Sequence, residues 1–298
     1  MAMVSPAPMD VQQSTSHGYS FGPDPIGELR DSSGLARRPD ALRKRMAGDG
    51  YLLLRGALDP DQVLAARVEL CTKLAAAGLL DRARSLTGAL YSGSNAGLGQ
   101  MDRIAFAHDL RTGPALRALL QDGRIISFYE AFLGGPVLPF SFIWVRTVRP
   151  GAATGCHYDW VYMGRGTRNL YTSWVPIGPV PFSDGPLAIL EGSHRFTDLK
   201  ATYGALDVDR DKDNNPYGGG WLSKDPGAVQ QRHGGRWLTA EFAPGDLLIF
   251  GMFTLHCSLD NTSPQRRIRL STDTRYQLAA EPADERWTGE EPFGHGME

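Results

Sequence analysis

The sequence predicts a mainly β protein with flanking helices: a cupin-like jelly-roll barrel of two sheets, with helices packed against one side. Three observations point there. Glycine (35) and proline (20) are over-represented among the 298 residues, well above the usual combined share of about 12%, as expected of many turns and short strands. Helical periodicity is confined to the first half of the chain. From residue 136 onward apolar residues alternate or run in short stretches between Pro, Gly and Asp turns, the pattern of antiparallel strands.

The elements follow in order. Residues 1–24, rich in Ser, Pro and Gln and without periodicity, read as a flexible arm. A single domain then spans 25–280, helical over 25–135 and barrel-forming over 136–280. Pro39 and Asp40 open a short helix that stops at Gly48 and Gly50, and Tyr51 to Arg55 reads as a strand. Asp59 followed by Pro60 is a helix start: the carboxylate caps the first amides and proline suits the first turn. The next helical region, 114–133, breaks near Gly123. Strands are then predicted in VLPFSFIWVRTV, YTSWVPIGPV, GPLAIL, DLLIFGMFTLH and RRIRLSTDTRYQL. Between them, 197–236 is too long for a hairpin and reads as a lid-like insertion. Residues 281–298 read as a tail.

Composition excludes several functions. With 42% hydrophobic residues the chain has ample material for a core, so it is not disordered as a whole. Thirty-one basic against 33 acidic residues leave a net charge of −2, which argues against a nucleic-acid partner. No apolar window is long enough for a membrane span, and the first residues lack the cationic and apolar regions of a secretory signal. Cys71, Cys156 and Cys257 are too irregularly spaced for a disulfide framework or a CxxC site. A cytoplasmic protein with reduced thiols and a small-molecule partner is expected.

Of seven histidines, two stand where a metal site can form. His157 and Asp159 make an H-x-D pair, and on a strand residues two apart share a face. His256 closes the predicted strand DLLIFGMFTLH. Two histidines and one carboxylate form the facial triad of non-haem Fe(II) oxygenases, with adjacent positions open for co-substrate and dioxygen. Arg267, eleven residues beyond His256 on the next predicted strand, supplies a planar guanidinium suited to the distal carboxylate of 2-oxoglutarate. Arg269 shares that strand face and is the alternative anchor. His194 is the alternative distal ligand, although it follows a Gly-Ser turn. Cys156 and Cys257 adjoin the two histidines, yet strand neighbours point opposite ways, so a mixed Cys/His zinc site is not expected.

These stretches, HYD at 157–159, SWVPIGPV, DGPLAILEGSH, APGDLLIF, HCSLDN at 256–261 and RIRLSTDTRY at 267–276, with GYLLLRGALDPDQV at 50–63, resemble the phytanoyl-CoA dioxygenase family of Fe(II)/2-oxoglutarate-dependent oxygenases. The resemblance covers about residues 45–277. It implies a double-stranded β-helix, iron ligands His157, Asp159 and His256, and Arg267 as the 2-oxoglutarate anchor. It further implies Ser258 as a hydrogen-bond partner of the same carboxylate and Trp174 as a wall of that pocket. The implied reaction oxidises an unactivated C–H bond with O2 and releases succinate and CO2. Because related halogenases replace the carboxylate ligand, Asp159 implies hydroxylation, or desaturation or ring formation. Within the family, acyl-CoA 2-hydroxylation is the alternative; outside it, a non-catalytic or cupin-type metal-binding protein. Arg165, Arg168 and Lys212 could serve acyl-CoA phosphates, but Asp207, Asp209, Asp211 and Asp213 crowd the same region, which favours a compact polar or amphipathic substrate. Arg165, Tyr162, Tyr217 and Trp221 are the candidate substrate or lid contacts.

Overall fold

Two sheets, each with one face turned inward, enclose the barrel. The computed structural model describes residues 10–99, 102–292 and 294–295. Its strands are β1 (Thr15–Ser16), β2 (Tyr19–Ser20), β3 (Gly27–Glu28), β4 (Tyr51–Leu54), β5 (Val137–Pro139), β6 (Trp144–Val148), β7 (Tyr171–Pro176), β8 (Leu187–Leu190), β9 (Trp237–Thr239), β10 (Leu247–Gly251), β11 (His256–Ser258) and β12 (Arg269–Leu278). The larger sheet runs β4-β10-β7-β12 in antiparallel order, and β6 and β5 pair with successive halves of the outer side of β12. The smaller sheet runs β11-β8-β9-β3, with β3 parallel to β9. Helices α1 (Pro39–Asp49), α2 (Pro60–Ala76), α3 (Ala96–Gly99), α4 (Arg103–Arg111), α5 (Pro114–Leu120) and α6 (Gly123–Leu133) precede β5; α7 (Trp160–Met163), α8 (Thr197–Ala201) and α9 (Pro226–His233) lie between the later strands. No described helix is long and apolar enough to cross a membrane.

Period-two alternation assigns the two faces of the large sheet. Outward-facing Leu52, Leu54, Ile249 and Leu270 join Leu70 of α2, Leu119 of α5 and Phe132 of α6 in one buried core. Inward-facing Leu53, Trp174, Leu248 and Phe250 meet Leu187, Ile189 and Leu238 of the second sheet. At roughly 1.5–3 kcal/mol for each fully buried large apolar side chain, the outer core fixes the helical layer to the sheet. On β12 the inward positions are polar instead: Arg269, Ser271, Asp273 and Arg275 are all buried.

Local signals set the helix ends. Gly50 caps α1 in the left-handed region with φ 80°, and the Asp59 carboxylate accepts from the Asp61 amide at 2.9 Å at the start of α2. The 114–133 region is two helices, and Gly123, at φ +62°, is the first residue of the second. The run DLLIFGMFTLH departs from expectation. It ends as a strand at Gly251, turns through a Thr254 N–H to Gly251 carbonyl bond of 2.9 Å, and re-enters the other sheet at His256.

The expected flexible arm is corrected from residue 10 onward, residues 1–9 lying outside the described residues. Asp260 accepts from Thr15 Oγ1 and from the amides of His17 and Gly18 at 2.7, 2.8 and 2.9 Å, and Phe21 is buried edge-on against Trp237. Polar composition concealed this docking because hydrogen bonds to a distant aspartate carry it. The expected tail likewise packs: Trp287 is wholly buried beside Phe142 and Trp144, while 293 and 296–298 lie outside the described residues. Insertion 197–236 carries α8 and α9, and its Leu222 and Ser223 bond the backbone of Cys156 at 2.8 Å each.

Candidate metal centre

A single antiparallel bridge brings the two histidines together. His157 and His256 exchange amide-to-carbonyl bonds of 3.0 and 3.1 Å, which sets their imidazoles side by side with centroids 4.1 Å apart. His157 Nδ1 lies 2.8 Å from the Gly155 carbonyl and His256 Nδ1 3.0 Å from that of Thr254. A carbonyl only accepts, so each Nδ1 carries the proton and each Nε2 presents its lone pair. Both lone pairs face Asp159, whose Oδ1 is 3.6 Å from His157 Nε2 and 3.8 Å from His256 Nε2.

The other oxygen of Asp159 is already engaged. Oδ2 accepts from Thr172 Oγ1 at 2.5 Å and from Arg275 Nη2 at 2.7 Å, which turns Oδ1 towards the histidines. Burial alone would raise this carboxyl, but Arg275 and the Thr172 hydroxyl outweigh it and hold it below the usual carboxylate range. Burial, reinforced by the neighbouring His256, pushes His157 down to about 3; burial also lowers His256. The site therefore offers two neutral imidazoles and one carboxylate, their ligand atoms all within 4.8 Å of one another. This donor set suits a six-coordinate divalent ion that keeps open positions.

A cavity adjoins the two histidines, lined among others by Trp174, Phe250, Ser258 and the cations Arg146 and Arg269. Arg269 is buried, bonds Ser271 Oγ at 2.5 Å and lies 5.7 Å over the Trp174 ring. Its Nε has no hydrogen-bond partner among the described residues, and burial, then Arg146, pushes the guanidinium down to about 9. Ser258 Oγ accepts from the Thr154 amide at 2.8 Å, leaving its own proton to donate. Arg267 is not in this wall. It bonds Asp184 Oδ2 at 2.8 Å and Gln265 Oε1 at 2.7 Å. The expectation that Arg267 faces the pocket is corrected by two residues: Arg266 turns left-handed at φ +56°, leaving Arg267 before the strand and Arg269 as its first residue.

The sequence profile described as phytanoyl-CoA dioxygenase (PhyH) matches residues 46–269, which include all three candidate ligands and Arg269. The chain belongs to the phytanoyl-CoA dioxygenase family. This family member is a non-haem Fe(II)/2-oxoglutarate-dependent oxygenase acting on a small molecule. It is 27% identical over 265 residues to the 1-deoxypentalenic acid 11-beta-hydroxylase of Streptomyces exfoliatus, covering 86% of this chain and 87% of that one. Its fold matches the epimerase SnoN in complex with Fe3+, alpha ketoglutarate and nogalamycin RO, with TM-score 0.54 and 21% identity over 88% of this chain and 96% of that one. The carbocyclase SnoK from nogalamycin biosynthesis matches with TM-score 0.55 and 17% identity, over 88% and 92% of the two chains.

The remaining candidates of this family member divide. Tyr162 on α7 stands edge-on to His157 at 5.7 Å, packed against Gly220. Arg165 does not reach the cavity; it chelates Asp207 at 2.6 and 3.1 Å and so ties α7 to the following insertion. Tyr217 packs edge-on against Tyr203, and Trp221 covers Gly155 and contacts His17. Both brace the segment over the His157 strand rather than line the cavity. Nearness in sequence to the H-x-D motif was the only signal for Arg165, and Asp207 captures it. His194 bonds the Ala47 carbonyl at 3.2 Å, away from the triad. The side chains of Cys156 and Cys257 lie in an apolar cluster with Tyr158 and Leu255, on the side of the strands opposite to the histidines. Arg146, Thr172, Asp273 and Arg275 were missed. The signal for Asp273 and Arg275 was in RLSTDTR at 269–275, where charged residues stand at inward positions of a barrel strand; Arg146 and Thr172 lie on other strands.

Proposed function

We propose that His157, Asp159 and His256 bind Fe(II), that Arg269, with Ser258 and Trp174, holds the distal carboxylate of 2-oxoglutarate, and that the enzyme hydroxylates an unactivated C–H bond of its substrate. One observation carries this reading: Arg269, buried without a carboxylate partner among the described residues, opens on the same cavity as the two histidines. A buried guanidinium lacking an anion is costly, and a dicarboxylate held at Arg269 would supply the missing charge. When bound, iron with 2-oxoglutarate and O2 supplies the oxidising chemistry, with succinate and CO2 released.

The chain's residues do the rest. The Gly155 and Thr254 carbonyls orient the imidazoles, and Arg275 with Thr172 fixes the Asp159 carboxylate so that one oxygen faces the two histidines, where it would help hold the metal. Leu187 and Phe250 keep the cavity wall dry. Tyr162, above His157, is the substrate contact we favour among the four sequence candidates. The free thiols of Cys71, Cys156 and Cys257 support a cytoplasmic setting. The test is an anaerobic titration of metal-free protein with Fe(II) and then 2-oxoglutarate, watched for the visible metal-to-ligand charge-transfer band. The expected band is absent in His256→Ala. Folded, iron-loaded wild type that gives no band with 2-oxoglutarate would overturn the reading.

A further inference from the structure

The inner wall carries one cation more than iron and 2-oxoglutarate neutralise. Three arginines, Arg146, Arg269 and Arg275, face two carboxylates, Asp159 and Asp273. Arg275 is shared between Asp159 and Asp273 at 2.7 and 2.9 Å. Arg146 chelates Asp273 through Nε and Nη2 at 2.8 and 3.0 Å. Its Nη1 hydrogen-bonds no described residue, its side chain is 37% exposed, and it lines the cavity beside His157. Nearby Asp184 does not correct the imbalance, because Arg267 already holds it; burial keeps the Tyr162 hydroxyl protonated.

A divalent iron and a doubly charged 2-oxoglutarate cancel, so filling the site as proposed above leaves the excess of one positive charge. Uncompensated charge in a low-dielectric wall is unfavourable, and a third occupant that is a monoanion removes it. The aromatic surface next to Arg146 suits an apolar body: Trp144 is two residues away on the same face of β6 and packs with Phe142 and Trp287 at 4.6 and 4.9 Å.

We propose that Arg146 recognises the carboxylate of the substrate through its open Nη1 edge, and that the substrate is a small, largely apolar carboxylic acid. The inference rests on the iron and 2-oxoglutarate reading. A carboxylate at Arg146 has a second source, the metal-proximal carboxylate of 2-oxoglutarate itself, and the experiment separates the two. The anaerobic Fe(II)·2-oxoglutarate enzyme is titrated with cyclohexanecarboxylate and with cyclohexanecarboxamide, and perturbation of the charge-transfer band is read in wild type and Arg146→Gln.

The acid is expected to bind about tenfold more tightly than the amide in wild type. Arg146→Gln is expected to lose that preference while its 2-oxoglutarate affinity stays within about threefold. Equal binding of acid and amide, no perturbation by millimolar acid, or a preference retained in the variant overturns the proposal. So does a variant in which only 2-oxoglutarate affinity falls, which assigns Arg146 to the co-substrate. The wild-type comparison decides even where the variant does not fold. Failure of the band to form at all is a different result and sinks the iron and 2-oxoglutarate reading instead.

Discussion

Asp159 divides one carboxylate between two tasks. Thr172 and Arg275 hold Oδ2, and the freed Oδ1 faces the histidines. Removing one of these supports should loosen the ligand without deleting it. Thr172→Val is expected to weaken Fe(II) binding by about 10-fold, within the range for outer partners of metal ligands, as read by competition with a chelator. Unchanged affinity would mean that Arg275 alone orients the carboxylate. The two arginines near the start of β12 make a second contrast. Arg269→Ala should raise the 2-oxoglutarate concentration needed for the charge-transfer band by about 100-fold, the scale of a lost charged hydrogen-bond pair. Arg267→Ala should change it by less than about threefold and mainly release Asp184. The reverse ranking would restore Arg267 as the anchor.

At the scale of elements, what was legible in the sequence is what local interactions decide. Helix α2 starts where Asp59 and Pro60 said it would, because capping involves residues two apart. Asp59→Ala should therefore cost about 1 kcal/mol of stability and leave Fe(II) affinity unchanged, by thermal unfolding and metal titration; a large loss of iron binding would mean that α2 supports the site directly. The triad was legible for a related reason, since residues two apart share a face and each histidine lies in a bridged segment. What escaped depends on distant partners. Nothing local in DLLIFGMFTLH reveals that the chain changes sheets at Gly251, and nothing in the polar first residues reveals Asp260 as their acceptor. The arginine that faces the cavity lies two residues beyond the expected one because a left-handed turn at Arg266, not the residue count, decides where β12 begins.

Across the whole molecule, an ionic lattice joins three segments far apart in sequence around the candidate metal centre. Arg165, just after α7, chelates Asp207 of the insertion. From the C-terminal segment, Arg286 reaches Asp209, Asp284 and the Tyr162 carbonyl, and it lies 3.7 Å from Asp207. The lattice thus clamps α7, which follows directly on the proposed ligand Asp159, between the insertion and the C-terminal segment. Burial would raise the Asp207 carboxyl, but the Arg165 bond, the amides of Arg210 and Asp209, and the Arg286 charge bring it down to about 2. A carboxyl depressed in the folded state contributes stability that is present above its unfolded pKa, near 4, and is lost as pH falls through the folded value. Asp207→Asn should therefore lower the melting temperature at pH 7, and the gap to wild type should narrow only below about pH 4 and close near pH 2. Melting curves for both proteins across pH 2–7 test this. A gap independent of pH would show that Asp207 acts through packing and neutral hydrogen bonds. In that case the clamp on α7, and with it the seating of Tyr162 above His157, would not depend on charge.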